Sequence, residues 1–427
     1  MIKDIQISNF GPLKDIKWEK LSNINVVLGT NASGKTFFLK SLYSSIRTLE
    51  EYKKGKDQRT DKEVLSEKLH WTFQQEKIGD LVNKNSSDAL SCKLIINDKI
   101  FQYSFGDTTV KAVQTMTNEV GSLDSHSVFL PPKEVLSLQN IILKSRELHK
   151  EFGFDDTYLD LIKALNYGGS DHDSPSVINE VKNRINMLTS FAISQQTSKR
   201  KSSLLLTEQA ANNFYNVVVH DLKLSQKNKD ITKSLIERIF ESLHKNNSIN
   251  SQPWDIKLHS EPFKSAFSDV SCKIENIIHG KAEYDIENAR WWFKNNKNQK
   301  FQITGTAEGV KKIAIFDTLL SNGFISPDSI VFMDEPESAL HPEAISKLMD
   351  VIVELAQRGV QFFIATHSYF VIKCLYILAQ ENKINMPVIS SGDVDWSYDD
   401  LIDGMPDNKI IDESIRIYER ELDVSLI

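Results

Sequence analysis

Gly29-Thr30-Asn31-Ala32-Ser33-Gly34-Lys35-Thr36 sets two glycines, a lysine and a hydroxyl at the spacing GxxxxGKT. Before it, Ile24-Asn25-Val26-Val27-Leu28 reads as a buried strand; after it, Leu39, Leu42, Tyr43, Ile46 and Leu49 recur at helical spacing. Strand, glycine turn and helix in that order restrict the segment to an α/β unit whose turn wraps phosphate. Glycines at 29 and 34 let the chain curl until backbone N–H groups of Asn31, Ala32, Ser33, Gly34, Lys35 and Thr36 face a bound anion, and the helix start adds its positive end. Lys35 is then expected to reach the β and γ phosphates of a nucleoside triphosphate, and Thr36 to ligate magnesium.

The remaining chemistry lies almost three hundred residues downstream. Ser329-Ile330-Val331-Phe332-Met333-Asp334-Glu335 is an apolar strand ending in two carboxylates. Magnesium on a triphosphate needs an anionic partner, the role expected of Asp334, while Glu335 points elsewhere and suits a general base for the attacking water. A third apolar run, Gln361-Phe362-Phe363-Ile364-Ala365, ends in Thr366-His367-Ser368. One helix separates these two strands, from Pro342 at its first turn to about Arg358, with Gly359 just past its end. Parallel strands joined in this way bring all three strand tips to one sheet edge, making His367 a candidate to touch the γ phosphate.

With these residues assembled, the chain resembles an ATP-binding-cassette (ABC) ATPase head, and within that class the OLD-like bacterial ATPases of the AAA15/AAA21 type. The resemblance rests on the glycine loop, on Met333-Asp334-Glu335-Pro336-Glu337, on Ser338-Ala339-Leu340-His341-Pro342 and on Ala365-Thr366-His367-Ser368. It implies an α/β P-loop NTPase fold, an ABC-ATPase head with a β-rich lobe and an inserted helical subdomain. It further implies ATP and Mg2+ as cofactors, with two heads sandwiching two ATP molecules, each completed by a signature helix from the opposite copy. The signature position matches Thr306-Ala307-Glu308-Gly309-Val310-Lys311-Lys312, giving Gly309 and Thr306 as nucleotide contacts ahead of a helix whose apolar face is Ile313, Phe316 and Leu320. This segment departs from the usual pattern: Ala307 stands where a serine is common, and Glu308 replaces a glycine, so its acidic side chain must point away from phosphate. Gln74, in Trp71-Thr72-Phe73-Gln74-Gln75-Glu76, matches the glutamine that senses magnesium and the γ phosphate. His341 stands where transporter heads carry aspartate, and Phe10 and Trp18 are the nearest aromatic options for the adenine.

Val128-Phe129-Leu130-Pro131-Pro132-Lys133-Glu134-Val135-Leu136 and Ile410-Ile411-Asp412-Glu413-Ser414 also resemble stand-alone members found beside effector genes in phage-defence loci. Physically, Pro131-Pro132 is a strand terminator before a helix. Only 59 residues follow Ser368, too few for the Toprim nuclease domain of many OLD relatives, and Asp393-Val394-Asp395 reads as an acidic surface loop.

Hydrophobic residues are 40% and charged residues 26%, and no stretch approaches roughly 18 uncharged apolar residues, so the expectation is a cytoplasmic protein without a membrane partner. Met1-Ile2-Lys3-Asp4-Ile5 alternates as a strand does and is no signal peptide. Cys92, Cys272 and Cys374 are scattered and odd in number, which suits reduced thiols better than a disulfide framework or a zinc site. A net charge of -7 excludes a wholly basic surface, though local clusters exist at Lys53, Lys54, Lys56, Arg59 and Lys62, at Lys199-Arg200-Lys201, and at Lys294, Lys297 and Lys300. Each reads first as a solvated face, leaving nucleic acid a possible partner.

The motifs divide the chain into a first half of the head at residues 1–132, a helical insertion at 133–250 and a second half at 251–427. Within these, apolar spacing predicts helices over Val135 to Leu148 and Ile231 to Leu243, a β-hairpin around Asn97-Asp98, and a second β-rich stretch from about 254 to 304. The insertion lacks sustained heptads, which argues against a long coiled-coil arm. These features together lead to the expectation of a slow ATPase switch in antiphage defence, forming a homodimer or higher oligomer and controlling a separate nuclease or toxin. The alternative is a DNA repair or recombination ATPase of the RecF or SMC-like class.

Overall fold

The computed structural model describes residues 1–54, 58–167, 233, 236, 265–285, 288, 290–392 and 395–425. The chain divides into two compact units, one of Met1–Asn166 with Ala266–Ile427 and one of Tyr167–Ser265. Nearly all of the second unit lies outside the described residues, and with it most of the helix expected from Ile231 to Leu243 and the Lys199-Arg200-Lys201 cluster.

The first unit opens with β1 (Ile2–Phe10) and β2 (Leu13–Trp18). β4 (Leu90–Ile96) and β5 (Lys99–Phe105) form the expected hairpin, whose Asn97 and Asp98 take left-handed φ angles of 49° and 64°. With β6 (Thr115–Asn118) they build an antiparallel sheet ordered β2-β1-β4-β5-β6. Alternate side chains, among them Ile5, Ile7, Cys92, Leu94, Phe101 and Tyr103, enter a core shared with Phe38, Leu42 and Ile46 of α1 (Lys35–Glu51).

A second sheet carries the motif strands β3 (Ile24–Leu28), β11 (Ile330–Asp334) and β12 (Gln361–Thr366). Together with β7 (Ser127–Leu130), β13 (Pro387–Ser391) and β14 (Trp396–Asp400), these run in the order β14-β13-β3-β12-β11-β7. All but β14 are parallel to their neighbours, and every residue of β3, β11 and β12 is buried, which is why those segments read as unbroken apolar runs. α7 (Pro342–Gln357) joins β11 to β12, and α8 (Tyr369–Asn382) leaves β12. The buried Gln361 side chain accepts from the Ile2 N–H and donates to its carbonyl, both at 2.8 Å, and so ties the first strand of the lobe to the central sheet.

Two segments differ from the sequence expectation in ways that packing explains. Residues 133–166 belong to the first unit, where α4 (Asp156–Leu165) and the one-turn π-helix Lys144–His149 close on α1 and α2 (Asp61–Phe73). They are held by a buried ion network in which Lys68 lies 3.0 Å from Asp160 and 2.8 Å from Glu51, while Arg146 pairs with Asp156. Charges removed from water in this way persist only when paired, so α4 is committed to this position. The regular helix predicted from Val135 begins only with α3 (Gln139–Leu143), Val135 and Leu136 being buried in the coil before it.

The stretch expected to be β-rich contains α5 (Ser268–Ile278), whose Val270, Ile274 and Ile278 recur every four residues and are all buried. The sheet of β8 (Gly280–Asp285), β9 (Arg290–Asn295) and β10 (Lys300–Gln302) follows it, and α6 (Glu308–Ser321) comes next. Asp395 sits in the turn joining β13 to β14, so the acidic loop is the tip of a hairpin on the central sheet, with Asp393 and Val394 outside the described residues. The chain closes with α9 (Lys409–Ser425), and among the described residues no helix is long and apolar enough to cross a membrane.

On α6, the buried Asp317 carboxyl accepts a hydrogen bond from Ser271 of α5. Burial raises its pKa from 3.8 to about 6, the Ser271 bond pulling the other way and Glu275 adding to the rise. The folded chain therefore holds this proton more tightly than the unfolded one. Its contribution is fully present below about pH 4 and falls by on the order of 3 kcal/mol as pH rises to about 6. Asp317→Asn is expected to escape that loss, so urea unfolding should show the variant gaining on the parent between about pH 4 and pH 7.

Candidate functional site

The turn between β3 and α1 encloses one wall of a cleft of about 540 Å3, lined by Asn31, Ala32, Ser33, Gly34, Lys35 and Thr36. Gly34 caps α1 at φ 94°, a left-handed conformation that a side chain would strain, and a Cβ there would stand 3.1 Å from Leu13 Cδ2. Lys35 is almost wholly buried, its Nζ donating to the Gly29 and Thr30 carbonyls at 2.9 Å each. Burial lowers its pKa, while the charges of Glu335, Asp334 and Glu337 oppose that fall. The ammonium is thus held within the loop by two neutral acceptors, which an anion of higher charge can replace.

Thr36 opens α1, and its hydroxyl donates to Asp334 Oδ2 at 2.6 Å across 298 residues of chain. β12 lies between β3 and β11, so this bond spans the width of a strand, from a helix start on one side to a strand end on the other. Burial raises the Asp334 pKa, and the Thr36 bond offsets part of the rise. Glu335, one residue on, turns away at φ 49°, its N–H bonded to the Ala365 carbonyl at 2.9 Å and its side chain on the cleft wall. His367 Nδ1 lies 3.0 Å from Glu335 Oε1 and 4.0 Å from Glu337 Oε1. Thr366 donates to Glu337 Oε1 at 2.6 Å, fixing that second carboxylate beneath the imidazole.

Four buried polar atoms gather here without a hydrogen-bond partner: Ser33 Oγ, Gln74 Nε2, Asp334 Oδ1 and Glu337 Oε2. Each such group costs about 1–3 kcal/mol when unsatisfied, and native structures tolerate few of them. A phosphate chain with magnesium supplies acceptors for the donors and a cation for the carboxylates, so the residues present fit that ligand. Left-handed backbone occurs here at Ala32, Gln74, Glu335 and Ala339, with φ of 63°, 53°, 49° and 62°.

Gln74 reaches the cleft as expected from sequence, at the left-handed C-cap of α2. Thr306 and Gly309 do not line it. Thr306 turns its hydroxyl back to the Ile303 carbonyl at 2.6 Å, and α6 starts after Ala307 with no side-chain cap, leaving its first N–H groups unclaimed by any capping side chain. Glu308 is exposed, consistent with an acid that must avoid phosphate. His341 caps α7, its Nδ1 accepting from the Glu343 N–H at 3.3 Å. Phe10 and Trp18 are core residues, 0% and 2% exposed, so neither is open to an adenine ring.

Sequence reasoning missed five cleft residues, Phe37, Lys40, Thr72, Phe73 and Asp155. Phe37 and Phe73 line it with ring centroids 4.5 Å apart, and Phe10 supports Phe37 edge-on from the core at 5.4 Å. Their adjacency to Thr36 and Gln74 was the available signal. Lys40 pairs with Asp155 at 2.6 Å, and both line the cleft. Asp155 is legible in sequence as a helix N-cap, but nothing in its spacing points to a partner 115 residues away.

A Cβ at Gly309 would stand 2.3 Å from the Ala339 carbonyl oxygen, which is backbone and cannot swing aside. Gly309→Ala is therefore expected to shift the loop around Ala339 and cost about 1–3 kcal/mol in denaturant unfolding. Binding of a fluorescent ATP analogue by a single copy should survive, since residue 309 is outside the cleft.

The family model described as "AAA domain, putative AbiEii toxin, Type IV TA system" matches residues 24–373. The glutamine transport ATP-binding protein GlnQ of Bacillus subtilis (strain 168) is 25% identical over 116 residues, which cover 26% of this chain and 45% of that relative. The match thus spans less than half of the curated relative's length. Among solved structures, the Smc head domain of Pyrococcus furiosus bound to the C-terminal domain of ScpA aligns over 98% of both chains at 13% identity and a TM-score of 0.44. The SMC head domain of Thermotoga maritima aligns over 93% of this chain and 98% of its own at 8% identity and a TM-score of 0.38.

Proposed function

We propose, for a chain that belongs to the AAA-domain family just matched, a cytoplasmic ATP-hydrolysing switch that controls a separate nuclease or toxin in antiphage defence. The fold is the α/β P-loop NTPase fold of an ABC-type head with an antiparallel β lobe. The observation that carries the ATPase reading is the Thr36–Asp334 bond together with the Glu335–His367 contact at the rim of one cleft. The family description supports a toxin-linked role.

In this reading Lys35 and the N–H groups from Asn31 to Thr36 bind the β and γ phosphates. Thr36, Gln74 and, through water, Asp334 would hold magnesium, which when bound neutralises phosphate charge. Glu335 takes a proton from the attacking water, positioned by the imidazole of His367, which also faces the γ phosphate. Phe37 and Phe73 offer the cleft an apolar wall near the nucleotide. The uncapped start of α6, with Thr306 and Gly309, lies outside the cleft and is suited to the nucleotide of a second copy. Two copies closing on two ATP molecules, and parting after hydrolysis, give the switch its two states.

Glu335→Gln is expected to lower ATP turnover by about 10²- to 10⁴-fold while keeping nucleotide binding. With ATP, this variant should accumulate as a dimer by light scattering and retain a stoichiometric effector on affinity purification from its host. Lys35→Ala should bind no ATP and stay monomeric. Host protection from phage that is unchanged by Lys35→Ala would sink the defence reading, whereas unchanged turnover in Glu335→Gln would sink the assignment of the base.

A further inference from the structure

The outer face of the small sheet β10-β9-β8 carries charges in an arrangement that folding alone disfavours. Registers pair Lys281 with Lys294 and Lys294 with Lys300, so one row across all three strands is lysine throughout. Like charges directly opposite one another on a sheet are destabilising. The next row on this face is Glu283, Trp292 and Gln302, and the one beyond pairs Asp285 with Arg290. Lys297 lies in the exposed turn joining β9 to β10. The opposite face is the packed one, with Trp291 and Phe293 buried and the Trp291 indole donating to Gln139.

Among the described residues, Glu283 is the acid within reach of the row, 3.0 Å from Lys300, 3.7 Å from Lys281 and 4.0 Å from Lys294. Against partial burial, Lys300 first and then the other two hold its carboxyl below the usual range. One carboxylate shared by three ammonium groups leaves the row positive, and Arg290 and Lys297 extend that charge while Asp285 returns part of it. The face is basic on a chain whose net charge is -7, with a half-buried indole in its middle row. Spaced cations beside an aromatic plane are what a flexible polyanion with stackable rings requires, whereas a phosphate ion alone has no use for the indole.

We propose that the outer face of β8–β10 binds single-stranded nucleic acid, Lys281, Lys294 and Lys300 tracking the phosphates and Trp292 stacking a base. This site is separate from the nucleotide cleft and does not depend on the effector reading. β10 leads within a few residues into Thr306 and the start of α6, so the face adjoins the segment suited to a second copy's nucleotide.

The test uses the full chain and two labelled probes, an oligothymidylate and a duplex of equal length, titrated at several salt concentrations. The parent should bind the single strand more tightly, with affinity falling steeply as salt rises. Replacing Lys281, Lys294 and Lys300 together by Gln should weaken that binding by at least about tenfold and reduce the log–log salt slope by about two. Trp292→Ala should weaken it by about tenfold, and Trp292→Phe should restore most of the loss. The triple variant should melt within a few degrees of the parent, because relief of like-charge repulsion offsets the loss of the Glu283 ion pairs, and should keep ATP turnover in the absence of nucleic acid. The proposal is overturned if the triple variant binds as the parent does, if Trp292→Ala has no effect, if the duplex is preferred, or if the triple variant melts several degrees lower, which would assign the lysines to structure. Since Lys35→Ala tests the ATPase switch and these variants test the face, failure of one is distinguishable from failure of the other.

Discussion

The hydrogen bond from Thr36 to Asp334 is the constraint around which the rest of the site is arranged. It joins a helix start to a strand end across β12, and it holds only while β3, β12 and β11 keep their parallel register. That register depends on apolar side chains on both faces, including the Phe332–Phe363 stack at 5.4 Å within the same strands. A slip of one residue would turn Asp334 away from Thr36 and bring an apolar side chain to the strand tip. Core packing and site geometry are therefore one requirement, the buried apolar strands fixing where the carboxylates stand.

The same logic explains why much of the head was legible in sequence. The glycine loop, the Asp-Glu strand and the Thr-His strand each combine an unbroken apolar run with polar residues at its end, and tertiary structure has little freedom to override that pattern. Gln74 also reached the cleft, although its segment carries few fixed neighbours. What sequence did not disclose depends on pairing between distant, individually ordinary residues. Asp155 reads as a helix cap, Lys40 as a lysine on an amphipathic helix, and Arg146 as part of a polar stretch, yet each has a buried or half-buried ionic partner. Residues 133–166 were assigned to the insertion for the same reason, because helical periodicity reports that a helix forms and not which neighbours it packs on. α5 was missed where a short helix interrupts a stretch otherwise rich in strand formers. Sequence leaves the adenine's aromatic partner unassigned, and its nearest options, Phe10 and Trp18, are claimed by the core.

The site also carries left-handed backbone and buried polar atoms without partners. Four non-glycine residues in left-handed conformations and four buried polar atoms without partners lie around the loop, the end of α2, the strand tip and the turn at Ala339. Such strain persists only where surrounding structure over-determines it. Here the fixed frame is supplied by the central sheet behind, by Lys312 donating to the Glu335 and Ser338 carbonyls at 3.0 Å and 3.2 Å, and by Thr366 gripping Glu337. A ligand that satisfies those atoms recovers part of that cost.

Adjacent aspartates give this arrangement its reach beyond the cleft. Asp155 faces the cleft and holds Lys40, while Asp156 faces the buried network and pairs with Lys68 at 3.2 Å and with Arg146. The two share the first turn of α4, whose N-cap is Asp155 itself. Burial raises the Asp156 pKa and Asp160 adds to the rise, while Lys68 and Arg146 oppose it. Any change in the Lys40–Asp155 contact on filling the cleft therefore acts directly on the end of a helix that cannot yield without exposing unpaired charge. α4 ends at Leu165, immediately before the chain leaves the first unit, and is held at its first turn by both sets of ion pairs.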